Sequence, residues 1–423
     1  MESNAFITRC VRHCVAYFEA AHDAAAEGRM VDSNGSPVDP YYPSILLVCE
    51  TPSHFAAELI GGIPTLPKEL KVIRRKLPSL EAVFGLFHTD ASRSWRRFPA
   101  GGADYKFANL ALLCQRDTDI FEGRYPELSQ FQESVIIDDT PLRDDEAFHA
   151  ISVPSSFKDV WLNDCLTVNS WKGQVRARYF QSAWITERSA TSSELKRRLE
   201  QHNPIGGPDT KLLTPSTSGG RSLVLKAANF ASLAAIDRIG ETTITRFLEM
   251  NEEILLASLG GVKLIAQPLL PWLEGNPDSD EEAIQPDFLL IDDEEKAHIC
   301  EVKLPLLGRT SLTTGGHRQR KFISPVTDGV AQLANYKEYF SFEVHNHLLY
   351  ERHGVLIDSP RSILLIGSEE NYDEVEVAQA QRMLQPFELI DYDTVRALFL
   401  TRSGYLPSKA LDIPKAEESG AGR

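Results

Sequence analysis

No run of about 18 apolar residues occurs anywhere in the 423 residues, and the strongest apolar stretches, Ser44 to Cys49 and Ser362 to Gly367, have the length of buried strands. A membrane span is excluded on that ground. The N-terminus also lacks a continuous apolar segment, because Arg9, Arg12 and His13 interrupt it, so a secretory leader is not expected and a cytoplasmic location is. The six cysteines (Cys10, Cys14, Cys49, Cys114, Cys165, Cys300) form no CxxC pair, which points to neither a disulfide framework nor a zinc site. Cys10 and Cys14, one helical turn apart with His13 beside them, read as one face of an amphipathic helix. Positive charge is in deficit: 44 Lys and Arg face 60 Asp and Glu, a formal charge of -16. That balance argues against a protein that coats nucleic acid nonspecifically, since phosphate binding draws on clustered Lys and Arg. No internal repeat stands out.

What is present is an ordinary globular composition, 42% hydrophobic and 25% charged, in a chain long enough for two domains. Residues 1-190 read as a mixed α/β domain. A helical pattern over Phe6 to Ala25 gives way to strand-like runs at Ser44 to Glu50, Phe107 to Gln115, Ser134 to Asp138, His149 to Val153, Leu166 to Ser170 and Val175 to Thr186. Residues 191-221 read as a helix capped by its Ser/Thr cluster, then a linker rich in Pro, Gly, Ser and Thr. Residues 222-407 form the second expected domain, and 408-423 a polar tail that frays.

The second domain spells out its elements in order. Ser222 to Leu259 carries two helical patterns; Val262 to Leu270, Gln285 to Ile291 and Ala297 to Leu304 read as strands. A long helix follows from about Pro325 to Phe340, then a strand over Arg361 to Gly367, a helix from about Asp373 to Leu384, and the segment Phe387 to Asp391. If Asp292 to Lys296 is a polar hairpin loop, pairing its two ends carries Asp287 opposite Glu301. Alternation then puts Lys303 on the same face, with Leu289, Ile291, Ala297 and Ile299 continuing it as apolar residues.

That arrangement points to a specific chemistry. Directly opposed residues on paired strands have Cβ atoms about 4.5 to 5.5 Å apart, close enough for two carboxylates to share one Mg²⁺. A divalent ion there can polarise a phosphoryl oxygen and acidify a water, and an adjacent ammonium can orient that water or offset the developing negative charge, which is the chemistry of phosphodiester hydrolysis. Two other Glu-x-Lys triplets are set aside. Glu194-Leu195-Lys196 lies in a helical pattern, where residues two apart diverge, and Glu294-Glu295-Lys296 lies in the turn.

The motifs FLEMNEEILLASL, QPDFLLID, HICEVKLP, DGVAQLANYKEYF and RSILLIGS follow one another between about Arg246 and Gly367. In that order they resemble the nuclease domain of the Shedu antiphage defence proteins, a branch of the PD-(D/E)xK superfamily. The resemblance covers only the second half of the chain. It implies an α/β, restriction-endonuclease-like domain with a mixed central sheet flanked by helices, beside the separate N-terminal α/β domain. It also implies a Mg²⁺- or Mn²⁺-dependent endonuclease that cleaves or nicks double-stranded DNA, in a homo-oligomer. Asp287, Glu301 and Lys303 map onto its catalytic set, Asp287 and Glu301 as metal ligands, and Gln332 onto a helix Gln that joins the site; Tyr336 follows one turn later. Glu249 is a candidate third carboxylate on the preceding helix, with Glu252 and Glu253 as competitors. Arg318, Arg320 and Lys321 are candidates for DNA contact, as are Lys71, Arg74, Arg75 and Lys76, and Lys196, Arg197 and Arg198. His317, His345, His347 and His353 are expected at the surface. Two rival readings keep the same fold: a catalytically silent DNA-binding or end-sensing module, and a DNA repair or recombination nuclease.

Overall fold

The computed structural model describes residues 1-31, 35-78, 83, 134-137, 140-142, 157-171, 174-206, 212-216, 221-236, 239-275, 282-316, 319-382, 384 and 386-405. The expected strands Phe107 to Gln115 and His149 to Val153, the tail from 408, and His317 and Arg318 lie outside the described residues. No helix of the described residues is long and apolar enough to cross a membrane. The chain divides into two units after Ile236.

In the first unit, helix α1 (Ser3–Ala26) precedes strands β1 (Asp39–Tyr41), β2 (Ile45–Glu50), β3 (His54–Ile60), β4 (Lys71–Lys76), β5 (Ser134–Ile137) and β6 (Thr140–Leu142). A long hairpin follows, β7 (Asp159–Trp171) and β8 (Gln174–Glu187), then helix α2 (Ser192–His202), β9 (Thr214–Ser216) and helix α3 (Arg221–Ala235). One seven-stranded sheet runs β4-β2-β3-β8-β7-β5-β6, and β1 pairs separately with β9. Helix α1 buries Phe6, Cys10, Cys14, Tyr17 and Phe18, the amphipathic face its spacing predicts. Cys10 is part of that packing, its Sγ accepting from Trp184 Nε1 at 3.3 Å. Thr191 caps α2 through a reciprocal box with Glu194, as the Ser/Thr cluster suggests.

Helix α3 corrects the expected boundary. It packs against β8, where Ser232 Oγ donates to the carbonyl of Tyr179 at 2.9 Å and accepts from its N–H at 3.1 Å. Strand β9, in the Pro/Gly-rich stretch before it, pairs with β1, and the division between the units falls after Ile236 instead of at 222.

The second unit opens with α4 (Glu241–Met250) and α5 (Glu253–Leu259), so Ser222 to Leu259 holds three helices where two patterns were read. Strands β10 (Lys263–Ala266), β11 (Leu270–Pro271), β12 (Ala283–Ile284), β13 (Phe288–Ile291) and β14 (Ala297–Val302) follow, then the small pair β15 (Thr313–Thr314) and β16 (Lys321–Phe322). Helices α6 (Ser324–Tyr339) and α7 (Glu343–His353), strand β17 (Ser362–Leu365), helix α8 (Glu374–Gln381), strand β18 (Glu388–Ile390) and helix α9 (Tyr392–Arg402) complete it. The central sheet is β10-β13-β14-β17-β18, with antiparallel pairing up to β14 and parallel pairing beyond. Mixed pairing with helices on the sheet makes this an α/β unit.

The β13–β14 register is fixed at its loop. Asp292 Oδ1 accepts the N–H groups of Glu294 and Lys296, each at 2.9 Å, its own N–H donates to the Lys296 carbonyl at 3.0 Å, and Glu295 takes φ 61°. Ile291 then pairs with Ala297 and Phe288 with Cys300. Leu289, Ile291, Ala297 and Ile299 join one buried cluster with Leu333, Tyr336 and Tyr339 of α6. Phe288, Leu290, Cys300 and Val302 alternate with them and are buried too.

His345 overturns its surface expectation. It is wholly buried, stacks on Tyr339 at 3.8 Å between centroids, and its Nε2 accepts the N–H groups of Leu273 and Glu274 at 2.9 and 3.3 Å while Nδ1 meets the Tyr339 carbonyl at 2.7 Å. The ring ties α7 to the β11 segment by satisfying backbone groups that burial has cut off from water. His347 does stay exposed, beside Glu351. We expect His345→Ala to destabilise the protein by about 2–4 kcal/mol through lost hydrogen bonds and a cavity; a denaturant midpoint equal to that of the wild type contradicts this role.

Candidate functional site

Asp287 stands one residue before β13 and Glu301 one residue before the end of β14, so continuing the observed register sets them opposite each other. The Asp287 carbonyl accepts from Gln267 N–H at 2.9 Å, and its carboxylate Oδ2 accepts from Val302 N–H at 2.9 Å. Thr245 Oγ1, on α4, lies 3.5 Å from Asp287 Oδ1. Lys303 continues from β14, its N–H donating to the Leu365 carbonyl at 2.8 Å and its carbonyl accepting from Tyr392 Oη at 2.7 Å. Its Nζ donates to Glu301 Oε1 at 2.8 Å and lies 3.5 Å from Glu241 Oε2. Asp287, Glu301 and Lys303 are thus brought together, with Glu241 and Thr245 added from α4.

Glu301 is only 4% exposed, and its Oε2 is buried without a hydrogen-bond partner. Burial, reinforced by the Asp287 charge, raises the Glu301 carboxyl to about 7, although Lys303 and the backbone N–H of Asp287 pull the other way. Burial also raises Asp287, against the Val302 N–H and the Lys303 charge. For Lys303 burial opposes the ammonium, but its hydrogen bond to Glu301 and the charges of Glu301, Glu241 and Asp287 outweigh it and raise its pKa. With both acids ionised, the buried pair carries more negative charge than the Lys303 ammonium offsets.

Could these groups hold a metal? Among the described residues no three His, Cys, Asp or Glu side chains come close enough to form a cage. Mg²⁺, however, is ordinarily held by one or two carboxylates with water and substrate phosphates filling the remaining positions. Two opposed carboxylates and an orphaned buried oxygen on Glu301 fit that mode.

The other candidates fall differently. Glu249 is exposed near the end of α4, whose buried residues include Ile244, Thr245 and Leu248; Glu241 at the start of the helix is the carboxylate that reaches Lys303. Gln332 is exposed on α6 and, among the described residues, makes no hydrogen bond to Asp287, Glu301 or Lys303. It does lie one turn beyond Gly329, where a Cβ would stand 3.5 Å from Lys303 Cγ and 2.7 Å from Leu364 Cδ1. Tyr336 packs in the core and donates to the Gln285 carbonyl at 3.4 Å.

The basic candidates are partly committed elsewhere. Arg320 pairs with Glu376 at 2.6 Å and donates to Gln379 and Thr313, so it braces β15 and β16 against α8. Lys321 is exposed on β16. Arg198 of α2 pairs with the buried Asp159. Lys196 pairs with Glu200 and Arg197 donates to Gln201, both one turn along α2.

Sequence reasoning missed Glu241 and Thr245. A signal was available: they are spaced i, i+4 behind Gly240, which takes φ 86°, and the two threonines Thr243 and Thr245 are polar residues on the helix's inward side. No protein-family model matches the chain, and no curated protein matches it.

The raised carboxyls have a measurable consequence. An acid whose folded pKa exceeds its unfolded value binds more protons when folded, so its contribution to stability declines as pH rises from the unfolded value through the folded one. For Glu301 that window runs from 4.5 to about 7. In EDTA the wild type is expected to lose stability between about pH 5 and pH 8, and Glu301→Gln to flatten that decline. Parallel pH profiles of the thermal midpoint for the two proteins speak against it.

Proposed function

We propose that the second unit is a metal-dependent endodeoxyribonuclease of the PD-(D/E)xK class, acting on double-stranded DNA in antiphage defence. The observation that carries this reading is the Glu301 carboxylate: buried, opposed to Asp287, bonded at one oxygen to Lys303 and orphaned at the other. A retired site has no physical reason to keep two opposed acids out of water, because burial and repulsion both act against them. The strand order supports the same class, since the paired acidic strands lie in the middle of a mixed sheet with helices packed on β14. The defence role rests on the motif resemblance alone.

When bound, Mg²⁺ or Mn²⁺ supplies Lewis-acid polarisation of a phosphoryl oxygen and a more acidic water. The protein's part follows from its own groups. Asp287 and Glu301 would hold the cation, and the Val302 N–H orients Oδ2 of Asp287. Lys303 keeps its proton because three carboxylates surround it, so its ammonium is available to a developing negative charge on the phosphate. Glu241 lies within reach of that ammonium and steadies it from α4. Gln332 enters as an orienting group only through the motif it belongs to. Placing the acids and the amine on one strand pair gives the geometry the rigidity that catalytic positioning needs.

We expect Glu301→Ala and Lys303→Ala each to lower Mg²⁺-dependent cleavage of plasmid DNA by at least about 100-fold, with unchanged circular dichroism. Glu241→Gln is expected to cost more activity than Glu249→Gln. Wild-type cleavage by the Glu301→Ala/Lys303→Ala double variant rejects the assignment. Tight duplex binding with no cutting in Mg²⁺ or Mn²⁺ selects the silent-module reading, and preference for flaps or junctions over linear duplex selects the repair reading.

A further inference from the structure

Strands β14 and β17 pair in parallel as far as Val302 and Leu365, and the Lys303 N–H extends the ladder by one bond, to the Leu365 carbonyl at 2.8 Å. Parallel pairing would next send the Gly367 N–H to the Lys303 carbonyl. It does not arrive there. Gly367 takes φ 87°, and its N–H donates instead to the Leu304 carbonyl at 3.3 Å. Only glycine suits that turn, because a Cβ would be strained by the left-handed backbone and would stand 2.8 Å from both Asn371 Oδ1 and Leu312 Cδ1. The Lys303 carbonyl is thereby left outside the ladder and needs another donor.

Tyr392 supplies it. This is the first residue of α9, its side chain is buried, and its Oη donates to that carbonyl at 2.7 Å. Its own N–H donates to the Gly367 carbonyl at 3.3 Å, and Asp391 caps the helix by accepting the N–H groups of Asp393 and Thr394, each at 3.0 Å. The start of the helix is thus tied to the same glycine that frees the carbonyl. Burial, with Asp287, Glu241 and Cys300 adding to it, holds the phenol well above its ordinary range, so it stays a donor. Asp287 and Glu241 are also among the acids that act on the Lys303 ammonium.

We propose that Tyr392 is a positioning residue of the nuclease site, whose hydroxyl fixes the Lys303 backbone and through it the place of the ammonium beside Glu301. That role rests on the nuclease reading for its reaction; the placing of the ammonium is measurable without it. A lysine stem is flexible, so where Nζ stands depends on where the stem starts. Here Nζ meets Glu301 Oε1 at 2.8 Å and lies 3.5 Å from Glu241 Oε2. Strand β14 ends at Val302, and the chain runs on through Leu304 to Pro305, which has no N–H to anchor. The phenol carries the rigidity of the strand one residue further, to the residue whose placement the chemistry needs. A ring that only filled the core would need no hydroxyl.

The test compares the full chain with its Tyr392→Phe variant, by NMR of isotope-labelled lysine ammonium groups without metal and by Mg²⁺-dependent cleavage of plasmid DNA. The Lys303 resonance is identified by its loss in Lys303→Arg. Tyr392→Phe is expected to shift it and to lower kcat about tenfold, while KM for DNA stays within about twofold. Val395→Ala, at a wholly buried apolar residue of the same helix, should lower the thermal midpoint and leave both readings unchanged. A ring-fluorinated tyrosine at position 392, a stronger donor of nearly the same size, should shift the same resonance, and it carries the comparison if Tyr392→Phe does not fold. An unmoved Lys303 resonance in a folded variant overturns the proposal, as do an unchanged kcat in Tyr392→Phe or equal changes in Tyr392→Phe and Val395→Ala. A wild type that cuts no DNA fails the nuclease reading instead, and the resonance still reports whether the hydroxyl places the ammonium.

Discussion

The second unit is organised around a repulsion. Two carboxylates face each other across a strand pair, one of them almost wholly out of water, and each raises the cost of ionising the other. The surrounding groups reduce that cost without removing it. Lys303 bonds one oxygen of Glu301, the Val302 N–H bonds one of Asp287, and the second oxygen of Glu301 has nothing. A protein selected only for stability would replace such a pair with apolar side chains of similar volume. Its presence in the middle of the sheet, where β14 is flanked by neighbours on both sides, is the constraint on which the functional reading depends.

The rest of the unit holds that constraint in register. Asp292 closes the hairpin loop through three hydrogen bonds, two accepted by its carboxylate and one donated by its N–H, which determines every pairing up to the acids. Slippage by one residue would turn Glu301 to the other face and Cys300 toward Asp287. Packing on both faces opposes that slip, because Leu289 and Ile299 on one side and Leu290 and Val302 on the other are all fully buried. Gly329 lets α6 pass close over Lys303 and Leu364, where any side chain at that position would meet Leu364 at 2.7 Å. The amine therefore lies in a walled position, and its carbonyl is tied to Tyr392 of α9.

Much of this was legible in the order of residues because strand pairing and alternation are local rules. The Asp292–Lys296 loop, the opposition of Asp287 to Glu301 and the apolar continuation of their face follow from a hairpin register and a period of two. The capping box at Thr191 and the buried face of α1 were legible for the same reason. What was not legible depends on helices meeting sheets. Glu241 and Glu249 are both acidic residues on α4, and only the packing of Ile244 and Leu248 determines which one turns toward Lys303. Arg320 reads as a free cation until Glu376, fifty-six residues away in sequence, is brought against it. His345 sits in a polar helix, yet its ring is drawn inward by the N–H groups of Leu273 and Glu274.

The sequence by itself determined the strand pair, its register and the identity of the three groups that alternate onto one face, since these depend on neighbours within about twenty residues and on backbone geometry that every chain shares. Tertiary structure alone decided how deeply Glu301 is buried, which helix carboxylate approaches the lysine, and that α3 belongs with β8 in the first unit. Burial and electrostatic coupling are properties of segments distant along the chain, and those distances close only when the helices dock.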